Sequence, residues 1–123
     1  MKLEPLLYVS NLQASVKFYC QVLGFDFGEY YPDEPSATYA SILIDGQKLR
    51  LVQGGIRIPS FHKHGVCGSG IQLFVQVPNA DEVYGRVKED VKVADGIEDK
   101  AWGDREFTIT DPDGYLISFY TPF

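Results

Sequence analysis

An α+β fold of two tandem βαβββ modules is predicted by two landmarks that recur at one spacing. Val9-Ser10-Asn11 precedes one amphipathic stretch and Val77-Pro78-Asn79 precedes another, 68 residues further on. The turn pair Asp45-Gly46 recurs as Asp113-Gly114, again 68 residues on. Independent landmarks in one register indicate an internal duplication, so each half reads as strand, helix, then three strands.

Residues 3–9 read as the first strand, with Pro5 tolerated at an edge or at the strand's start. Asn11 is a good N-cap, Leu12, Val16, Tyr19 and Leu23 recur at helical spacing, and Gly24 stands where a left-handed C-cap residue is wanted. Residues 25–27 open a short second strand, and residues 30–36, with two prolines and two acids, read as loop. A third strand over 38–44, a tight turn at Asp45-Gly46 and a fourth strand over 48–52 complete the first half. Between 53 and 70 periodicity is lost; five glycines, Pro59 and two histidines mark a binding loop or a linker between halves. Residues 71–77 resume as strand. Asn79 caps a second helix, with Glu82 placed to complete a capping box and Ala80, Val83, Tyr84 and Val87 as its buried stripe. Residues 91–93 form the next strand and Asp95-Gly96 a turn. The closing hairpin follows: 106–110 alternates polar and apolar, Asp111-Pro112-Asp113-Gly114 has turn chemistry, and 116–120 is rich in β-formers. The expected organisation is a single domain over 1–123: module one 1–53, a Gly-rich connecting loop 54–70, and module two 71–123.

A chain of 123 residues, 45% apolar and 23% charged, can bury a core without disulfides or a structural metal. Its net charge of -6 disfavours nucleic acid, which needs clustered Lys and Arg. The acidic balance would attract cationic small molecules or simply keep the protein in solution. No window approaches the ~18 apolar residues of a membrane span, and Glu4 and Pro5 interrupt any leader-like start. The cytoplasm is the expected compartment. Cys20 and Cys67 lack metal-finger spacing and are expected as unpaired thiols, Cys20 packed on a helix and Cys67 exposed in the loop.

Several stretches together resemble the vicinal oxygen chelate superfamily, which includes glyoxalase I, extradiol dioxygenases and the fosfomycin and bleomycin resistance proteins. They are Val9-Ser10-Asn11-Leu12, Ser15-Val16-Lys17-Phe18-Tyr19 with Leu23-Gly24-Phe25, and Trp102-Gly103-Asp104-Arg105-Glu106-Phe107 with Asp111-Pro112-Asp113-Gly114. The resemblance implies a curved mixed sheet around a cleft, with metal ligands projected inward from the first and last strands of each module. Those positions fall at Glu4, Arg50, Gln72 and Ser118, and 72 follows 4 and 118 follows 50 by the same 68 residues. In similar metal-dependent members the Gln72 position is typically histidine, the Ser118 position glutamate, and the Glu4 position histidine or another ligand. Zinc, iron or manganese wants imidazole, carboxylate or thiolate donors. One carboxylate, an amide, a hydroxyl and a guanidinium do not make such a set, so neither metal nor cofactor is expected. The quartet instead reads as a polar network with Arg50 paired to Glu4, either satisfied within the core or forming the floor of an organic-ligand cleft. His62 and His64 read as exposed loop histidines, or as donors that could join Glu4 on a metal if the loop folded back.

Trp102, Tyr30, Tyr31 and Phe61 stand beside loops or strand ends rather than in periodic runs, which suits stacking on a flat or heteroaromatic ligand. The expected function is therefore that of a metal-independent, bleomycin-resistance-type binding protein sequestering a small aromatic or cationic ligand. The resemblance implies a homodimer. Neither nucleic acid nor membrane is an expected partner. The alternative is a metal-dependent glyoxalase, lyase or dioxygenase acting on vicinal oxygens. Metal-free acid–base chemistry by Glu4 fits less well, because Arg50 nearby would lower the carboxyl pKa.

Overall fold

In the computed structural model, residues 1–54, 68 and 70–123 are described. The element order is β1 (Leu6–Val9), α1 (Leu12–Lys17) continued by a π-helical turn (Phe18–Val22), β2 (Asp26–Tyr31), β3 (Tyr39–Ile44) and β4 (Gln47–Gln53). There follow β5 (Gln72–Gln76), α2 (Ala80–Val87), β6 (Lys92–Asp99), β7 (Asp104–Thr110) and β8 (Leu116–Pro122). Each module is βαβββ, and the chain divides into two compact units, Met1–Cys67 and Gly68–Phe123.

Each unit holds one four-stranded mixed sheet, ordered β1-β4-β3-β2 in the first and β5-β8-β7-β6 in the second. First and last strands pair in parallel while the others are antiparallel. Leu6 lies opposite Arg50, and Phe74 opposite Ser118. The 68-residue offset is thus carried into the strand register.

The helix starts repeat as well. Asn11 Oδ1 accepts from the Ala14 N–H at 3.0 Å, and Asn79 Oδ1 from the Glu82 N–H at 3.2 Å. The last strand of each unit adds a second tie. Gln53 Oε1 accepts from the Leu12 N–H at 3.0 Å, and Thr121 Oγ1 accepts from the Ala80 N–H at 2.8 Å. Orphan donors at both helix starts are satisfied in this way.

Strand alternation turns one face of each sheet toward its helix. In the first unit Val9, Leu12, Ala40, Ile42 and Leu51 are fully buried. In the second, Phe107, Ile109, Ile117 and Phe119 are buried with Ala80 and Val87 of α2, and the Phe107 ring stacks on Phe119 at 5.3 Å.

Three local expectations change. The first strand begins at Leu6 rather than Leu3. Pro5 has no N–H to give, although its carbonyl still accepts from the Arg50 N–H at 2.9 Å. Residues 30 and 31 end β2 instead of opening a loop, Tyr30 opposite Ala40 and Tyr31 opposite Tyr39. Asp95-Gly96 makes no turn. It lies inside β6, where the register against β7 shifts on both sides of Asp95, so one extra residue is absorbed at each shift as a bulge. The chain reverses instead at residues 100–103, where Gly103 takes φ +95° and Lys100 N–H donates to the Asp104 carbonyl at 2.7 Å.

Candidate functional site

Opposite its helix-covered face, each sheet carries polar and aromatic side chains. In the first unit, buried Leu49 and Leu51 flank Arg50 on β4, so alternation places Arg50 on the other face. Arg50 Nη2 and Nε donate to Glu4 Oε1 at 2.7 and 3.1 Å, and Nη1 donates to the Tyr39 hydroxyl at 3.0 Å. The hydrogen bond from Arg50 holds the Glu4 carboxyl below its ordinary value. The same bond holds the guanidinium more firmly protonated. The expected Glu4–Arg50 pair is present, and Tyr39 is a third member that sequence reading missed.

In the second unit Gln72 Nε2 donates to Ser118 Oγ at 2.7 Å, and Ser118 Oγ lies 2.6 Å from Thr108 Oγ1. Ser118 and Thr108 are buried. Two residues along and on the same face, Glu106 lies opposite Tyr120, and Glu106 Oε1 accepts from the Trp102 indole N–H at 3.2 Å. Glu106 is only 3% exposed. The Tyr120 hydroxyl donates to Gln76 Oε1 at 3.2 Å, and its ring meets Phe74 edge-on at 6.0 Å. Thr108 and Glu106 were also missed. The signal for both was the alternation Glu106-Phe107-Thr108-Ile109, which puts the two polar residues on one face.

The aromatic candidates are differently placed. Trp102 sits on the β6–β7 turn, 65% exposed. Tyr31 is 70% exposed and shares a face with Tyr39 and Arg50. Tyr30 points to the opposite face, half-buried with its ring 4.8 Å from Phe27. Burial, and then a hydrogen bond with Glu34, push its phenol up. Phe61, His62, His64 and Cys67 lie outside the described residues. Cys20 is half-buried, and burial raises its thiol pKa.

A divalent metal does not fit the four positions. Glu4 is committed to Arg50, and the Gln72 amide and Ser118 hydroxyl are committed to each other. Among the described residues no group of three or more His, Cys, Asp or Glu side chains could hold a metal ion. Nor is any helix among them long and apolar enough to cross a membrane.

Two βαβββ modules in tandem fit the expected family, and the sequence agrees. The chain belongs to the Glyoxalase/Bleomycin resistance protein/Dioxygenase superfamily, whose profile matches residues 3–119. Relatives include bleomycin resistance proteins of Geobacillus stearothermophilus and Staphylococcus aureus, each 27% identical and aligned over 94% of this chain and 92% of theirs. Among solved structures, TnmS3, an antibiotic binding protein from Streptomyces sp. CB03234, is 25% identical with a TM-score of 0.79, covering 100% of this chain and 96% of that one. TioX from Micromonospora sp. ML1, at 20% identity and a TM-score of 0.81, covers 100% of this chain and 99% of its own and shares the fold.

Proposed function

We propose that this protein is a metal-independent small-molecule binding protein of the bleomycin-resistance type, acting as a cytoplasmic homodimer on a small aromatic or cationic ligand. The carrying observation is that the family's four ligand positions are closed into two organic pairs, Glu4 with Arg50 and Gln72 with Ser118. Such pairs offer hydrogen bonds to an organic molecule rather than open donors to a cation. Likeness to bleomycin resistance proteins and to an antibiotic binding protein supports the same reading. Ligand type is argued from the net charge of -6 and from the exposed rings of Trp102, Tyr31 and Phe74. Exposed Ile71 and Phe74 at the start of the second unit's sheet support association of two copies.

Calorimetric titration with metal-free bleomycin, in chelator-containing buffer, tests the binding. Saturable heat is expected, with sedimentation at twice the chain mass. Absence of binding, with turnover of a vicinal-oxygen substrate on adding a divalent metal, would overturn the proposal.

A further inference from the structure

We infer that Glu106, with Trp102 and Tyr120, forms a subsite for the organic cation of a ligand, an ammonium or amidinium group carried on or beside a flat ring. This rests on reading the chain as a small-molecule binder, and it adds a residue that the family's ligand positions do not include. Glu106 is 3% exposed, yet no cation pairs with it among the described residues. Its Oε1 accepts from the Trp102 N–H, while Oε2 has no hydrogen-bond partner there. Ser15 Oγ is the one fully enclosed polar side-chain atom without a partner among the described residues, so Oε2 still touches solvent.

A buried carboxylate with one neutral hydrogen bond is costly unless a counter-charge arrives. Its cross-strand neighbour makes matters worse: Glu98 lies opposite Glu106, and like charges in that relation repel. Lys100, which sits over the Trp102 ring, is already shared between Asp95 and Glu98. One carboxylate of this row therefore lacks compensation.

The surroundings select the kind of cation. A metal ion would need further oxygen or nitrogen donors. An organic cation is satisfied by one carboxylate and aromatic faces, and Trp102 (65% exposed) and half-buried Tyr120 flank Glu106 through the indole hydrogen bond and the β7–β8 register.

The probes are 9-aminoacridine, cationic at neutral pH, and neutral acridine, which has the same ring. Affinities come from calorimetry, and since Trp102 is the chain's one tryptophan, its emission reports whether the probe sits beside it. The cation should bind roughly tenfold tighter than acridine, with quenching of Trp102. Glu106→Gln, which keeps the acceptor for the indole N–H, should erase that preference while leaving acridine affinity within about twofold. An unchanged thermal midpoint, or a higher one, will show that the variant is folded. A preference that survives Glu106→Gln, or no probe binding at all, overturns the inference. Bleomycin binding without the cation preference would overturn the subsite alone and leave the binding function standing.

Discussion

Arg50 grips a single oxygen of Glu4: Nη2 and Nε reach Oε1 at 2.7 and 3.1 Å. Because the bond favours the ionised carboxyl, the folded-state pKa lies below the ordinary 4.5. A depressed carboxyl pKa stabilises the fold fully above the unfolded value, and that contribution is lost as the pH falls from there through the lower folded value. Between about pH 6 and about pH 3 the urea midpoint should fall further for the unaltered chain than for Glu4→Gln. Parallel midpoint curves would show that the pair contributes nothing to acid sensitivity.

Ser118 links Gln72 to Thr108 on the face of the second sheet turned away from α2. Replacing it by alanine leaves the enclosed Thr108 hydroxyl without that partner and should cost about 1–2 kcal/mol in urea unfolding. Ligand affinity should fall too if the Gln72 amide needs Ser118 to hold its direction, which titration of the same variant measures.

Gln53 and Thr121 are equivalent by the internal repeat, and each ties the first helical N–H of its unit. Thr121 also donates to the Val77 carbonyl at 2.8 Å, and Gln53 Nε2 donates to the Ser10 carbonyl at 2.6 Å. Thr121→Val and Gln53→Leu should each destabilise by about 1–2 kcal/mol. Chemical denaturation checks this, and a loss at only one position would show that the two ties differ in worth.

Ser15 on α1 is fully buried, and its hydroxyl has no hydrogen-bond partner among the described residues. Alanine there removes an unsatisfied polar atom and adds helix propensity, so Ser15→Ala should stabilise by roughly 1 kcal/mol. A lower melting temperature for the variant would contradict this.

The duplicated fold was legible because its markers are local. The Asn11 and Asn79 caps and the Asp45-Gly46 turn act within a few residues, and their spacing shows directly in the chain. Asp45 and Gly46 both take positive φ, as the dipeptide suggests. Asp95-Gly96 carries the same chemistry but lies within a strand, since pairing with β7 outweighs local turn preference. The Glu4–Arg50 pair and the positions of Gln72 and Ser118 followed from the repeat together with family resemblance; the Gln72–Ser118 hydrogen bond itself did not. Tyr39, Thr108 and Glu106 did not, because their roles depend on cross-strand register, which individual residues do not encode. Tyr30 and Tyr31 show the same limit, as one step along β2 sends adjacent rings to opposite faces.

Elemental analysis of the purified protein, paired with ligand titration before and after chelation, tests the central claim most directly. The account predicts substoichiometric zinc, iron and manganese, and ligand affinity unchanged by chelator. One divalent metal per chain whose removal abolishes binding would contradict it.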